Sequence, residues 1–284
     1  MVENTILICE QLNHIYANGV HALTDINLSI DKGEYVAFVG QNGSGKTTLV
    51  KHFNGLLKPT RGKVMVFGED THNKKVSSLS RKVGYVFQNP DDMLFCSSVE
   101  EEIAYGPRML GFEQSEIDTK VKKILNELDL NQKREIHPFA LSLGDRQRLA
   151  VACALSLDPE VFIFDEPTTG QDYFGGKSIM MLIDQLHASG KTVIIISHDM
   201  PLVVEHATRV VVLNQGQIAL DGTPEDVFSH TELLQQYSLR SPQVTLLAKK
   251  LGLQDRILLR VPQMVQWLET EYLPSPKSTN GFTA

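Results

Sequence analysis

Gly40-Gln41-Asn42-Gly43-Ser44-Gly45-Lys46-Thr47-Thr48 decides the fold of this chain. Two glycines separated by four residues lead into a lysine and a hydroxyl. Tyr35–Val39 just upstream is an apolar run rich in β-branched and aromatic residues, so it reads as a buried strand. Thr47–Asn54 downstream reads as a helix, stopped by Gly55. Strand, glycine turn and helix are the setting in which this pattern cradles phosphates. The glycines let backbone N–H groups wrap an anion, and the helix N-terminus adds partial positive charge. Gly40, Asn42, Gly43, Ser44, Gly45 and Thr48 would line such a cradle. Lys46 would reach the β/γ-phosphates, and the Thr47 hydroxyl would ligate Mg²⁺. A glycine-rich turn without a ligand is the plainer alternative, and the flanking strand and helix argue against it. The expected ligand is ATP or a similar nucleoside triphosphate.

A second acidic anchor lies at Val161-Phe162-Ile163-Phe164-Asp165-Glu166. Four apolar residues before two acids describe a buried strand that delivers carboxylates to its carboxyl end, where open α/β sheets bind ligands. Asp165 is a candidate Mg²⁺ ligand and Glu166 a candidate base for an attacking water. As ordinary strand-end acids they would carry little meaning. Beside a phosphate loop they supply what phosphoryl transfer requires. The run Thr192–Ser197 delivers His198 in the same manner, where an imidazole could donate to a γ-phosphate.

Further strand-like runs are Ile6–Glu10, Ile26–Ile30, Lys63–Phe67, Val83–Gln88, Arg209–Leu213 and Gln217–Leu220. The early ones are short and close together, as in antiparallel pairs. The later ones alternate with helices, as around a parallel sheet. Between Ser98 and Leu157 strands give way to three helical patterns. Among them is Ser115–Leu130, with Ile117, Val121, Ile124, Leu125 and Leu128 at helical spacing. An α/β fold with a mixed sheet, an N-terminal antiparallel β subdomain and an inserted helical subdomain over about residues 91–157 is expected.

The composition narrows the function classes. A net charge of −7 does not suit non-specific nucleic-acid binding, so no nucleic-acid partner is expected. Cys9, Cys96 and Cys153 form no metal-ligand cluster and suggest reduced thiols. Leu149–Leu157 is about half the roughly 20 residues a membrane span needs. Met1–Thr5 lacks the basic start of a secretion signal. Contact with a membrane is therefore expected through a partner.

These residues, in this order, resemble the ATP-binding-cassette ATPases over about residues 5–225. The resemblance implies a nucleotide-binding domain at 1–224 and a small C-terminal extension at 225–284. It implies adenine stacking for Tyr16, and contact with Mg²⁺ and the membrane subunit for Gln88. Leu141-Ser142-Leu143-Gly144-Asp145 occupies the family's signature position, so Ser142 and Gly144 would face a nucleotide held by a second subunit. Asp172 would cross that dimer interface, and His198 would act as the switch histidine. Lys46, Glu166 and His198 are the implied catalytic residues.

Gln88–Phe95 and Ser98–Pro107 look like the energy-coupling-factor and cobalt-type importers. That likeness implies a peripheral ATPase on the cytoplasmic face of the cell membrane. It would sit on an integral membrane coupling subunit beside a substrate-binding membrane protein. Vitamins or related micronutrients are the implied cargo, with cobalt or nickel as the alternative. A soluble small-molecule kinase would share the phosphate loop but needs neither signature nor Asp172. The extension is expected to aid dimerisation and to end in a mobile tail, Pro274–Ala284.

Two expectations concern less regular segments. Met93, Leu94 and Phe95 interrupt a polar turn and suggest a contact for the membrane subunit, whereas Asp91-Asp92 reads as a solvated turn. The signature departs from the usual Leu-Ser-Gly-Gly-Gln at Leu143 and Asp145. Asp145 either caps its own helix from Ser142 or sets a carboxylate near the phosphate. An altered signature beside an intact local set favours a heterodimer with a second, related ATPase.

Overall fold

The structure is a computed structural model and describes residues 4–253 and 256–272. The expected tail, Pro274–Ala284, lies outside the described residues. Ten strands and eleven α-helices follow in the described chain. They begin with β1 (Thr5–Ile15), β2 (His21–Asp31), β3 (Tyr35–Val39), α1 (Lys46–Phe53), β4 (Arg61–Val66) and β5 (Glu69–Asp70). Next come α2 (Val76–Leu79), β6 (Val83–Val86), α3 (Val99–Met109), α4 (Gln114–Glu127), α5 (Leu143–Ser156) and β7 (Val161–Asp165). The remainder are α6 (Tyr173–Ala188), β8 (Thr192–Ile196), α7 (Met200–His206), β9 (Arg209–Asn214), β10 (Gln217–Gly222), α8 (Pro224–Ser229), α9 (Thr231–Gln236), α10 (Gln243–Lys250) and α11 (Val261–Trp267).

An antiparallel sheet of order β2-β1-β4-β5 packs over a sheet of order β10-β9-β3-β8-β7-β6. The latter is parallel except for the β9–β10 hairpin, so it is mixed as expected. All five residues of β3, β7 and β8 are buried, as continuous apolar runs require when both sheet faces are covered. Alternation sorts their side chains. Val36, Phe38, Ile163 and Ile194 join the core beneath the antiparallel sheet and α1. Ala37, Val39, Phe162, Phe164 and Ile195 face the core under the helices. Two cores on one sheet place its strand ends along a shared edge.

Three helices, α3 to α5, fill the interval between β6 and β7. The Ser98 hydroxyl accepts from Glu101 N–H to cap α3. Glu102 is buried and accepts N–H bonds from Phe95 at 2.8 Å and Cys96 at 2.6 Å, closing the preceding loop.

Several boundaries differ from expectation. β6 stops at Val86 rather than Gln88, because Asn89 Oδ1 accepts from Asp91 N–H and starts a turn at Pro90. Gln88 thus lies in an exposed loop beyond the strand. Leu94 is 3% exposed and belongs to the main core, so only Phe95 of the expected contact triplet, at 62%, stands clear. Asp91 is not a purely solvated turn residue, since its carboxylate lies 3.3 Å from Arg146 Nε on α5. Val227, Phe228 and Leu234 of α8 and α9 pack into the main core, and only α10, α11 and a π-helical turn at Leu268–Tyr272 build a small core of their own, around Ala248, Met264 and Trp267.

Candidate nucleotide site

The carboxyl ends of β3, β7 and β8 converge, and most of the expected site residues meet there. The phosphate loop leaves β3 with φ of +79° at Gly43 and +105° at Gly45. A side chain at Gly45 would come within 2.7 Å of the Ala22 carbonyl, and one at Gly40 would strike the Leu213 carbonyl. Only glycine fits these two positions. Lys46 opens α1, and its Nζ donates to the carbonyls of Gly40 at 2.7 Å and Gln41 at 2.9 Å. The lysine thus lies over the loop it closes. Burial pulls its pKa down, while Glu166 and Asp165 push it back up.

Thr47 Oγ1 donates to Asp165 Oδ2 at 2.9 Å across 118 residues of chain. The same oxygen accepts from Tyr85 Oη at 2.8 Å. Glu166, next in the chain, takes a left-handed φ of +52°. That costs a non-glycine residue about 1–2 kcal/mol. A bond from Glu166 N–H to the Ile196 carbonyl at 2.9 Å holds it there. Its Oε2 lies 2.8 Å from His198 Nδ1. His198 itself is fixed by the turn into α7, where Ser197 Oγ accepts from Asp199 N–H and Asp199 caps the helix.

Tyr16 directly follows β1, which runs five residues further than expected, to Ile15. Its ring is 37% exposed, and its hydroxyl is 2.9 Å from Thr48 Oγ1 on α1. It lies edge-on to His14, whose Nδ1 is 3.1 Å from His52 Nε2. An aromatic face thereby stands beside the phosphate loop.

The donors fit a nucleotide with a divalent cation. Ser44 Oγ in the loop is buried and has no hydrogen-bond partner among the described residues. Loop N–H groups and Lys46 suit phosphate oxygens. A hydroxyl beside a carboxylate suits Mg²⁺, which prefers oxygen ligands.

Ser142, Gly144 and Asp172 form a second cluster. No hydrogen bond among the described residues ties it to the phosphate loop. Ser142 caps α5, and Gly144 O accepts from Gln171 Nε2 at 3.2 Å. Asp172 Oδ1 accepts from Gly175 N–H and caps α6. The carboxylate of Asp145 turns inward and not toward a phosphate. It takes hydrogen bonds from Lys133 at 2.6 Å, Ser142 at 2.8 Å and Arg148. Burial alone would raise its pKa, but those three bonds outweigh it and hold the carboxyl at about 2. Of the two readings of Asp145, the structure shows the cap from Ser142, and two cations neutralise its charge. Leu143 remains 43% exposed, with its side chain lying over Gly170.

The residue reading missed Tyr85, Gln171 and Arg146. Tyr85 was the legible one, as the single polar-tipped residue in Val83-Gly84-Tyr85-Val86. Gln41, which the sequence did not single out, donates from Nε2 to the Tyr237 carbonyl and tethers the end of α9 to the phosphate loop.

Residues 23–169 match the sequence family described as ABC transporter. The energy-coupling factor transporter ATP-binding protein EcfA of Methanococcus maripaludis is 40% identical over 90% of this chain and 93% of its own. An ABC transporter ATP-binding protein of Caldanaerobacter subterraneus is 46% identical over 92% of this chain. The chain spans about half the length of that relative, 46%, and 43% of a similar one from Methanosarcina acetivorans. Among solved structures, cbiO1 of Clostridium perfringens, described as part of the ABC transporter complex cbiONQ, superposes with a TM-score of 0.72. It is 35% identical and covers 87% of this chain and all of its own.

Proposed function

The chain belongs to the ABC transporter family, and from that premise we propose that it is the ATP-hydrolysing subunit of an energy-coupling-factor importer. The observation that carries this reading is the Thr47–Asp165 hydrogen bond. It joins the phosphate loop to the acidic strand end, with Glu166 next in sequence and His198 bonded to Glu166. Thr47 and Asp165 would hold Mg²⁺, with Gln88 beside them, and the metal would offset the charge of the β- and γ-phosphates. Lys46 exchanges its loop carbonyls for phosphate oxygens, and the Tyr16 ring receives the adenine. Glu166 orients and deprotonates the attacking water, while His198 steadies the Glu166 carboxylate through Nδ1.

A second subunit is part of this reading, because Ser142, Gly144 and Asp172 stand apart from their own subunit's loop. Ser142 and Asp172 are exposed and Gly144 is half-buried, a set suited to close on a partner's nucleotide. ATP would then favour the closed pair over the open one and so drive a membrane subunit between states. No helix among the described residues is long and apolar enough to cross a membrane, so translocation would fall to partner chains at the cytoplasmic face. The exposed rings of Phe95 and Tyr105, 4.7 Å apart and edge to face, with Met109 one turn beyond, offer those chains an apolar contact. Vitamins or related micronutrients are the favoured cargo. Cobalt or nickel is the second reading.

Glu166→Gln keeps size and hydrogen bonding but loses the base. ATP should still bind while turnover drops by a factor on the order of 10² or more. Lys46→Ala should lose nucleotide binding itself. Near-parental hydrolysis by Glu166→Gln would remove that residue from catalysis. Purification from detergent extracts separates importer from kinase, since only the importer subunit brings hydrophobic membrane partners with it.

A further inference from the structure

We propose that Tyr85 is a positioning residue for the metal-binding carboxylate, an inference that rests on the ATPase reading above. Asp165 Oδ2 accepts two hydroxyl protons, from Thr47 at 2.9 Å and from Tyr85 at 2.8 Å. A carboxylate oxygen offers about two lone-pair sites, so these two bonds fill Oδ2. Oδ1 is the oxygen left to serve a hydrated cation. One donor alone lets a carboxylate pivot about it. Two donors from different elements, α1 and β6, fix its plane, and exchange of the two oxygens would break both bonds.

Tyr85 is built to hold its end of this clamp. β6 lies in parallel register with β7, with Tyr85 opposite Ile163. The ring is buried and packs edge to face on Phe87 at 4.6 Å. A phenol has one O–H to give, and here it points at the Asp165 carboxylate. Thr47 cannot replace it. Once the Thr47 oxygen engages a cation, its single proton is the only restraint it offers the carboxylate. Tyr85 also lies three residues before Gln88, so one short segment carries both the clamp and the exposed loop residue. The metal carboxylate and the partner-facing loop are thereby set from the same strand.

The test reads metal binding without turnover. Mn²⁺ is titrated into the full-length protein saturated with ADP, and bound metal is followed by electron paramagnetic resonance. Tyr85→Phe keeps the ring and removes the donor. Its Mn²⁺ affinity should fall about tenfold, consistent with loss of one hydrogen bond to a charged group. Its affinity for metal-free ADP should match the parent, which a general packing defect would not allow. Phe87→Leu loosens the ring contact but leaves the hydroxyl, and it should hold Mn²⁺ within about twofold of the parent. Parental Mn²⁺ affinity in Tyr85→Phe overturns the proposal, as does an equal loss in Phe87→Leu. If the parent itself takes up no Mn²⁺ with ADP, the ATPase reading falls and this inference with it.

Discussion

Asp145 shows how a substitution inside a motif can be absorbed by its neighbours. A carboxylate at the end of the signature sits between Lys133 and Arg148 and bonds Ser142. Its folded pKa of about 2 lies below the roughly 3.9 of an unfolded aspartate. A depressed carboxyl contributes stability that is present above the unfolded value and lost as pH falls through the folded one. The window is therefore about pH 4 down to pH 2, and the contribution is on the order of 2 kcal/mol. Asp145→Asn should lower unfolding free energy by about that much at pH 7, and the gap to the parent should narrow below pH 4. Urea denaturation of both proteins at several pH values checks this; a gap that widens on acidification would refute it. Tyr16 poses a residue-scale question of another kind. Tyr16→Ala should cost roughly 1–3 kcal/mol of ATP affinity if the ring stacks on the base. Tyr16→Phe should recover most of it, short of what the Thr48 contact adds. Calorimetric ATP affinity that is equal in the Ala variant and the parent would reject stacking. Residues such as Lys46, Thr47 and Asp165 were legible because chemistry fixes both their type and their spacing. The Ser142–Asp145 cap was legible too, but Lys133 was not, since it reaches the carboxylate from outside the motif.

Among the elements, the sheet strands were the most readable. Val161–Asp165 was read with the bounds it has, because a strand covered on both faces must be apolar throughout. β1 was cut short at Glu10 because Gln11, at φ +47°, and the register shifts beyond it break the simple alternation. The loop before α3 misled for a different reason. Met93, Leu94 and Phe95 are equally apolar in the sequence, yet the Glu102 carboxylate pins the backbone of Phe95 and Cys96 so that Leu94 turns inward and Phe95 outward. The two positions should therefore fail differently. Leu94→Asp puts a charge into the core and should destabilise the fold by several kcal/mol, visible as a large drop in melting temperature. Phe95→Asp should leave melting within about 2 °C of the parent, as surface changes generally do, but release the membrane partner or uncouple ATP use from uptake. A folded, fully coupled Phe95→Asp protein would move the docking surface elsewhere.

For the molecule as a whole, the open matter is what completes the second cluster. Its members sit at the starts of α5 and α6, with Gly144 bonded by Gln171, Asp172 by Gly175 and Ser142 by Asp145, and with no hydrogen bond to their own phosphate loop among the described residues. The whole arrangement was only partly legible. Motif order announced two half-sites, but the inward turn of Asp145 depended on folded contacts, and α8 and α9 read as an appendage although they complete the main core. With the Asp145 charge neutralised, the case for unequal sites rests on Leu143. Its exposed side chain would stand, in the proposed pair, where close backbone approach to a phosphate asks for glycine. The local set of Lys46, Thr47, Gln88, Asp165, Glu166 and His198 is intact in the sequence. An unaltered nucleotide set joined to a bulkier signature is best used opposite a related ATPase that supplies a slimmer one. In such a pair the two sites differ: this chain's own nucleotide would be closed by the regular signature, and the partner's by Leu143. Glutamate-to-glutamine changes made one subunit at a time should then have unequal effects, with Glu166→Gln here the more damaging. Leu143→Gly should raise turnover at the weaker site and bring the two single variants closer together. Equal effects from the two single changes, or full-rate uptake by a homodimer of this chain with its membrane subunit, would show that Leu143 imposes no asymmetry.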